Sequence, residues 1–542
     1  MTTEIELKLA MDSGAAAQTV ADLLRHPAVV ALKAGRSRTA RVISTYFDTA
    51  DARLADAGIV LRLRRDGTRW LQTVKGPPLA ETGGAVHARP EYEWPIAGPR
   101  LDPTRLATTP WRGLLGKAIA SASLAPQFTT DFERNTVSLE FDDGTRAKLC
   151  VDVGKIRPAG KRRGGGQQRR KSVPISEIEI ELQTGNVARL FELALALTAE
   201  LPLTVATVSK SERGFALVRD QPDGWRAPMR AQDVLLTADA TAPEALRAIA
   251  LECLRQIAAN APGLLADGDP EWVHQMRVGT RRLRSCLALA APFVPRDQLE
   301  PLLTEIKWLA GALGPARDWD VFATETVPAF AERFAQKATT ATGLRRLRAR
   351  VGARRNAARA ATRHVVRSPR FQRLLLAVGA LCATPHFGSR ADPGPGVDAG
   401  RAASAKAFAG KVLRRRHRKL ARRVDASVHG TPQDRHALRI AAKKVRYVAE
   451  FFAPLFHRNR AQRYVTALAS LQEVLGRGND AATAARLVFE IAANDDDAVA
   501  DALRGWIAAE AATVESELAR ARKRFARTRR FWTRGQDSRA PA

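Results

Sequence analysis

Several features that mark other classes of protein are missing from this 542-residue sequence. Its four cysteines show no CxxC or CxxH spacing, which argues against a disulfide framework or a zinc site and is typical of a reducing cytosol. No apolar run approaches the roughly 18 residues of a membrane span, and the N-terminus shows no signal-peptide pattern. GxSxG, HExxH and Walker A motifs are also missing. We therefore expect a cytoplasmic protein of two or three domains.

Acidic residues are scarce relative to basic ones, and the imbalance is uneven. The chain has 87 Lys and Arg against 56 Asp and Glu, a formal net charge of +31. Residues 1–220 contain 32 basic and 25 acidic residues, whereas residues 221–542 contain 55 and 31. The C-terminal part therefore carries most of the positive field. This predicts a polyanionic partner: nucleic acid, inorganic polyphosphate or an anionic surface.

The first 217 residues show the pattern of a β-rich domain with helices at 13–25 and 186–200. A glycine-rich basic loop at 158–171 predicts a mobile insertion, and residues 218–230 predict a linker. The eight predicted strands are EIELKL, RVISTYFDT, IVLRLRR, RWLQTVK, RPEYEWPI, RNTVSLEF, AKLCVDVG and SEIEIEL.

From residue 231 to 533 the pattern is helical and contains a repeat. HQMRVGTRRLRS begins at His274 and HALRIAAKKVRY begins at His436, an offset of 162 residues. LGPARD and LGRGND, which end at Asp318 and Asp480, match at the same offset. We infer a duplicated helical unit, with copies at about 231–382 and 401–533 separated by a Pro/Gly-rich loop. Residues 534–542 are predicted to be a disordered tail.

Four predicted strands carry charges on one face and apolar residues on the other. Alternation of this kind is common on a solvated sheet face, but here it recurs with both signs of charge. A closed sheet with a charged, wet interior and outward apolar faces explains it, because unpaired buried charges are otherwise costly. Carboxylates bind hard divalent cations, and Arg and Lys bind phosphate oxygens. A metal-bound polyphosphate satisfies both sets. The charged positions are Glu4, Glu6 and Lys8; Arg62 and Arg64; Glu91 and Glu93; and Glu177, Glu179 and Glu181.

The motifs ExExK, YFDT, LRLR, VKG, EIEIEL and SKxxRG, in this order over residues 1–217, resemble the CYTH family, the triphosphate tunnel metalloenzymes. The resemblance implies an eight-stranded antiparallel β-tunnel that hydrolyses triphosphates with Mg²⁺ or Mn²⁺. It further implies that the metal-binding and catalytic carboxylates are Glu4, Glu6, Asp152, Glu177, Glu179 and Glu181. The triphosphate ligands would be Lys8, Arg62, Arg64, Lys75, Arg134, Lys210 and Arg213, while Glu91 and Glu93 are less certain and are alternatively partners of the arginines.

The repeated H-x2-R-x3-R-R-x-R pattern predicts a basic stripe on each of two helices. Few acidic residues lie at i+4 to relieve the repulsion, so a polyanion would stabilise the stripe. The pattern over 231–533 resembles the CHAD family of polyphosphate-binding helical domains. That resemblance implies polyphosphate binding by His274, Arg277, Arg281, Arg284, His436, Arg439, Lys443 and Arg446. Basic runs at 413–423 and 519–530 would extend this track or face water.

The sequence as a whole predicts an inorganic triphosphatase that releases pyrophosphate and phosphate, fused to a polyphosphate-binding domain. One alternative is a non-catalytic polyphosphate-binding or targeting protein. Another is a CYTH enzyme that acts on a nucleotide or on thiamine triphosphate. Specific nucleic-acid binding is disfavoured, because the two basic runs contain a single Phe and no Tyr or Trp, which is not the aromatic interleaving that base stacking needs. Association with polyphosphate granules is a further expectation.

Overall fold

A computed structural model describes most of the chain. The predicted loop at 158–171, the linker at 218–230 and the Pro/Gly-rich loop at 383–400 fall partly outside the described residues, and the tail at 534–542 falls wholly outside them. The described residues are 2–79, 85–120, 124–159, 172–219, 227–266, 268–334, 338–384, 387, 404–428, 430–492 and 498–533.

All eight predicted strands are present, and a two-residue ninth strand joins their sheet. The strands alternate apolar and polar residues and are separated by turn-forming Gly, Asp and Pro, which is why they pair as an antiparallel meander. The strands are β1 (Thr2–Ala10), β2 (Arg38–Asp48), β3 (Val60–Asp66), β4 (Arg69–Lys75), β5 (Val86–Ile96), β6 (Ala125–Glu140), β7 (Arg146–Pro158), β8 (Val173–Thr184) and β9 (Thr204–Val205).

The sheet closes on itself, because β1 pairs with β8 on one side and with β5 on the other. Around the ring the order is β5-β4-β3-β2-β6-β7-β8-β1, with every neighbouring pair antiparallel. The register sets Glu6 opposite Glu181 and Lys8 opposite Glu179. An eight-stranded ring is just wide enough to hold side chains or one small ligand. The predicted β-tunnel is therefore confirmed.

The helices of this region cover the outer, apolar face of the ring. Leu7 of β1 and Ile180 of β8 are fully buried in one cluster with Leu190 and Leu197. This outward core leaves the charged positions of the same strands facing inward, as predicted from the alternation. The helices are α1 (Ala16–Arg25), α2 (Pro27–Leu32), α3 (Arg53–Asp56), α4 (Pro103–Leu106), α5 (Arg112–Ala120), α6 (Ala188–Glu200) and α7 (Lys210–Val218).

The rest of the described chain is helical, which confirms the predicted all-α C-terminal part. A short π-helical turn, Phe322–Thr326, joins α11 to α12. The helices are α8 (Ala242–Ala266), α9 (Pro270–Ala290), α10 (Arg296–Ala312), α11 (Gly314–Val321), α12 (Val327–Phe334), α13 (Ala338–Arg367), α14 (Pro369–Ala383), α15 (Ala405–Ala426), α16 (Pro432–Phe452), α17 (Arg458–Ile491) and α18 (Ala498–Ala526).

The chain divides into two compact units that do not follow chain order. Unit 1 comprises residues 1–230, 254–272 and 366–385, and unit 2 comprises 231–253, 273–365 and 386–542. Unit 1 thus combines the tunnel with α14, whose Leu376 lies in the outer core of the ring. No helix among the described residues is both long and apolar enough to cross a membrane.

Candidate functional site

The inside of the ring forms a cavity of about 310 Å³ that is lined mostly by charged side chains. Ten of the thirteen predicted tunnel residues line it. Asp152 and Glu177 do not line it but contact Lys210, which does, and Arg213 contacts Glu177. The ten are Glu4, Glu6, Lys8, Arg62, Arg64, Lys75, Arg134, Glu179, Glu181 and Lys210.

Strand β1 contributes three charges, which pair with one another or with charges on other strands. The Lys8 ammonium lies 3.0 Å from Glu6 and 3.1 Å from Glu179 on β8. Glu4 contacts the Lys75 ammonium of β4. Burial acts to raise the pKa of Glu4, but Lys75, through its charge and hydrogen bond, holds that pKa at about 2. Glu4 is therefore a carboxylate at neutral pH.

Glu6 is a buried carboxylate with charges of both signs around it. Burial raises its pKa, as does repulsion from Glu179 and Glu4, although the Lys8 ammonium opposes the rise. Crowding of carboxylates in a buried setting favours binding of a proton or a cation. The wall around Glu6 therefore offers hard oxygen ligands to a cation, and the positive charge of that cation would stabilise the carboxylates.

Helix α7 places a lysine against three carboxylates at another part of the wall. The Lys210 ammonium lies 2.7 Å from Asp152 and 3.0 Å from Glu179, and it contacts Glu177. Burial would lower the pKa of Lys210, but the carboxylates Asp152, Glu177 and Glu179 raise it above its usual value. Asp152 and Glu179 also accept hydrogen bonds from Arg134, at 2.6–2.7 Å.

Asp152, Glu177 and Glu179 also have the spacing of a metal-binding triad. One carboxylate oxygen from each lies within 4.8 Å of the other two. The Lys210 ammonium contacts all three carboxylates, and Arg134 and Arg213 also form ion pairs with them, so a cation bound there would compete with these groups. Glu4 and Glu6 offer further hard oxygen donors in the same tunnel.

The opposite part of the wall holds cations that lack a full set of partners. Arg62 lies 3.6 Å from Glu91, which also lies 3.4 Å from Lys75. Arg64 has no carboxylate in contact among the described residues. The Nε atoms of both arginines are buried without a hydrogen-bond acceptor. Burial, followed by repulsion from Arg62 and Arg134, lowers the pKa of Arg64. Unsatisfied buried guanidinium groups of this kind favour an anionic ligand.

The tunnel also includes residues that the sequence analysis did not assign. Arg89 and His87 lie at every second position of β5 before Glu91 and Glu93 and so share their face of the strand. The sequence pattern could therefore have identified them. The half-buried His87 imidazole contacts the Ala206 carbonyl, and desolvation followed by the Lys8 charge lowers its pKa to about 4. The other unassigned polar residues of the lining are Arg38, Tyr46, Asp66, Thr136, Lys148, Cys150, Ser209 and Ser211.

Unit 2 contains a second cavity, of about 760 Å³, between the two copies of the repeat. Six of the eight predicted residues of the helical domain line it. Arg284 and His436 are exposed and do not line it, so the two copies contribute three residues each but not at the same repeat positions. The six are His274, Arg277 and Arg281 of α9 and Arg439, Lys443 and Arg446 of α16.

The basic groups of this second cavity repel one another. Burial, followed by the charges of Arg439 and Arg281, lowers the pKa of Lys443 to about 7. Burial and the charge of Arg281 lower the pKa of Arg277 to about 10. The Nε atoms of Arg281 and Arg439 are buried without an acceptor. The cavity is therefore preorganised for an anion that would satisfy these donors.

Acidic residues of the repeated LGxxxD motif also line the second cavity, and the sequence analysis gave them no role. Asp318 and Asp480 both lie in the lining, and Arg486 lies 3.3 Å from Asp318. Burial, with repulsion from Asp480, raises the pKa of Asp318 although Arg277 and Arg486 oppose it. Arg446 is paired as well, at 2.6 Å from Glu450.

The fold therefore holds two charged cavities in separate compact units: a β-tunnel of mixed charge in unit 1 and a cavity lined by more basic than acidic residues in unit 2. Family comparison agrees with this division. The family model for the CYTH domain matches residues 2–215, and that for the CHAD domain matches residues 248–488. The chain therefore contains a CYTH domain followed by a CHAD domain.

Individual relatives match parts of the chain. The inorganic triphosphatase of Haemophilus influenzae is 32% identical over 189 residues, which are 34% of this chain and 49% of that protein. The chain thus spans about half the length of this relative. The CHAD domain of Ricinus communis has a TM-score of 0.49 at 35% identity and covers 56% of this chain and 98% of its own. PptA from Streptomyces chartreusis has a TM-score of 0.40 at 18% identity, with 53% and 99% covered. Both TM-scores are below 0.5, so neither structure carries weight for function.

Proposed function

We propose that the tunnel hydrolyses inorganic triphosphate to pyrophosphate and phosphate with the help of a divalent metal. The observation that carries the proposal is a closed ring whose cavity is lined by Glu4, Glu6, Glu179 and Glu181 together with Arg62 and Arg64, whose Nε atoms are buried without an acceptor. The triphosphatase from H. influenzae, matched over 189 residues, supports the same activity. The cavity of about 310 Å³ suits a small inorganic substrate.

The chain's own residues divide into three roles in this proposal. Arg62, Arg64 and Lys75 bind the phosphate chain and stabilise the charge that develops on the leaving pyrophosphate. Glu4, Glu6 and Glu179 would hold Mg²⁺ or Mn²⁺, which when bound supplies Lewis-acid neutralisation of phosphate oxygens and activation of water. Asp152 and Glu177 hold Lys210, Arg134 and Arg213 in place through direct ion pairs.

The decisive experiment measures phosphate release from tripolyphosphate, with and without Mg²⁺ or Mn²⁺. We expect metal-dependent turnover in the parent and a loss of at least about a hundredfold in Glu4→Gln/Glu6→Gln, since transition-state charge stabilisation at such sites has this magnitude. Glu133→Gln/Glu140→Gln is the matched control, because both carboxylates are exposed on β6. Equal loss in this control would show a general charge effect.

The alternatives are separated by the choice of substrate. Faster turnover of a nucleoside triphosphate or thiamine triphosphate than of tripolyphosphate would assign the tunnel to one of those substrates. If the folded parent turns over none of these substrates with either metal, the alternative of a non-catalytic binding protein is favoured.

We further propose that the cavity of unit 2 binds inorganic polyphosphate. The unsatisfied Arg281 and Arg439 and the strongly depressed pKa of Lys443 support it, because a polyanion would relieve all three. Localisation at polyphosphate granules remains a prediction that depends on this binding.

The test uses the full chain with four residues replaced by Gln: Arg277, Arg281, Arg439 and Lys443. We expect retention on immobilised polyphosphate to be abolished and tripolyphosphate hydrolysis to be retained, since the two sites belong to different compact units. The matched control, of equal charge change, is the Gln variant of the exposed residues Arg346, Arg348, Arg458 and Arg460. A parallel fall in hydrolysis would contradict the assignment of separate sites.

A further inference from the structure

The predicted basic track does not end at the cavity of unit 2. Arg284 of α9 and Lys444 of α16 are exposed and point away from the lining. Each nevertheless lies beside a residue that lines it: Lys444 follows Lys443 directly, and Arg284 lies three residues after Arg281, about 4.5 Å along the helix. Both helices therefore carry basic residues from the cavity onto the outer surface.

Helix α15 adds further cations at the same place. Its basic run at 413–423 packs along α16, where Arg416 donates a hydrogen bond to the Lys444 carbonyl at 2.8 Å. Lys419, one turn from Arg416, is exposed. Among the described residues, Arg284, Arg416, Lys419 and Lys444 have no carboxylate within ion-pairing distance. We call these four residues the outer basic cluster.

The cluster shows mutual repulsion with no compensating acid. Burial, followed by the charges of Arg416, Lys419 and Arg284, lowers the pKa of Lys444. Elsewhere in unit 2, basic residues are commonly paired. Arg282, which corresponds to Lys444 in the first copy of the repeat, contacts Glu450 at 3.2 Å. Arg446, which corresponds to Arg284, contacts the same glutamate. At each of these two repeat positions one copy is paired and the other is not, and the unpaired members, Arg284 of the first copy and Lys444 of the second, both belong to the outer basic cluster.

We propose that the outer basic cluster is a second anion-binding site, which captures the part of a polyphosphate chain that extends beyond the cavity of unit 2. This rests on the proposed polyphosphate binding by that cavity. The basic run at 413–423 contains no Phe, Tyr or Trp, which favours polyphosphate over the bases of a nucleic acid. The site makes affinity depend on chain length: a long chain reaches both sites, whereas tripolyphosphate reaches only one.

The test uses the full chain with a chelator present to prevent hydrolysis. Binding of labelled long-chain polyphosphate is followed by fluorescence anisotropy, with unlabelled tripolyphosphate as competitor. In Arg284→Gln/Lys419→Gln/Lys444→Gln we expect the Kd for the long chain to rise about tenfold and its salt dependence to fall by about two in log–log slope. The inhibition constant of tripolyphosphate should stay unchanged. The matched control is Arg346→Gln/Arg348→Gln/Arg460→Gln, whose residues are exposed elsewhere in unit 2.

Each other outcome overturns the proposal. An unchanged Kd for the long chain would show that the cluster is only a solvated face. An equal loss of affinity in the control variant would show that net charge alone causes the effect. Equal weakening of both chain lengths places the effect on the cavity itself. Loss of duplex DNA binding with polyphosphate binding intact assigns the surface to nucleic acid. Separately, undiminished binding of both chain lengths by Arg277→Gln/Lys443→Gln would refute polyphosphate binding by the cavity, whatever the cluster variant does.

Discussion

Lys210 illustrates how single residues hold the tunnel together. Its ammonium contacts three buried carboxylates at once, and it reaches them only because α7 begins at the tunnel wall. A buried charge left without its partner is strongly destabilising, whereas an intact pair contributes less net stability. The residue is therefore important to the fold as well as to the proposed chemistry.

Lys210→Met in a metal-free buffer should lower the free energy of unfolding by about 3–5 kcal/mol. Without the ammonium, the facing carboxylates gain higher pKa values in the folded state, so folding binds protons. Stability should then recover as pH falls, and the loss should be larger near pH 8 than near pH 5. Urea denaturation at both pH values measures this. Lys155→Met, at an exposed position of β7, is the control; a pH-independent loss would contradict the argument.

Lys443 provides a second prediction at this scale. With a pKa of about 7 in the free protein, it is only partly charged at neutral pH. Polyphosphate stabilises the charged form, so binding takes up a proton and affinity should rise as pH falls through about 7, by up to about tenfold per pH unit on the alkaline side. Lys443→Arg should flatten this dependence while preserving affinity near pH 7. An identical pH profile in the variant would show that another group titrates.

At the level of elements, the packing of α7 explains the glycine of the SKxxRG motif. A Cβ on Gly214 would lie 2.1 Å from the Phe128 ring. That ring is fully buried and stacks on Tyr46, with centroids 4.4 Å apart. Helix α7 can therefore approach β6 closely only with glycine at this position, and the approach places Lys210 and Arg213 against their carboxylates.

Gly214→Ala should lower the free energy of unfolding by about 1–3 kcal/mol, because overpacking displaces α7. Tripolyphosphate hydrolysis should fall as well, since Lys210 moves with the helix. Adding Phe128→Leu should restore part of both. Thermal unfolding and turnover are the measurements, and Gly98→Ala, where no atom lies within 4 Å of the new Cβ, is the control. No rescue by Phe128→Leu would remove the steric explanation.

At the scale of the whole molecule, unit 1 depends on a helix from the distant part of the chain. Leu376 of α14 lies in the outer core of the ring, and Gln372 accepts a hydrogen bond from the Val205 amide at 2.9 Å. Gly379 allows α14 to lie against Phe191, because a Cβ there would be 2.2 Å from that ring. The CYTH domain is therefore completed by residues far outside the range 2–215.

A fragment that ends at Arg230 should consequently be less stable than the tunnel in the full chain. Exposing the surface that Leu376 covers costs about 1.5–3 kcal/mol. A synthetic α14 peptide should raise the melting temperature of the fragment in a concentration-dependent manner. The same peptide with Leu376→Ala and Gln372→Ala is the control. If the peptide does not change the melting temperature of the fragment, α14 does not stabilise the tunnel.

Local patterns in the sequence were sufficient for the strands, the charged faces and the repeat. Period-two alternation assigns Leu7 to a core and Glu6 to the other face without knowledge of any neighbour. The 162-residue offset likewise identifies α9 and α16 as related helices before either is placed. These features are local, because they depend on spacing along one segment.

The partners across the fold had to come from the tertiary structure. Closure of β1 onto β5, the position of Lys210 among three carboxylates and the attachment of α14 to the ring all join residues far apart in the chain. Helical spacing predicted equal roles for Arg284 and Arg446, yet only Arg446 lines the cavity of unit 2. The sequence by itself determined which residues are charged and which face of a segment they share. Only packing decided which of them meet, because burial and ion pairing depend on neighbours that sequence spacing does not specify.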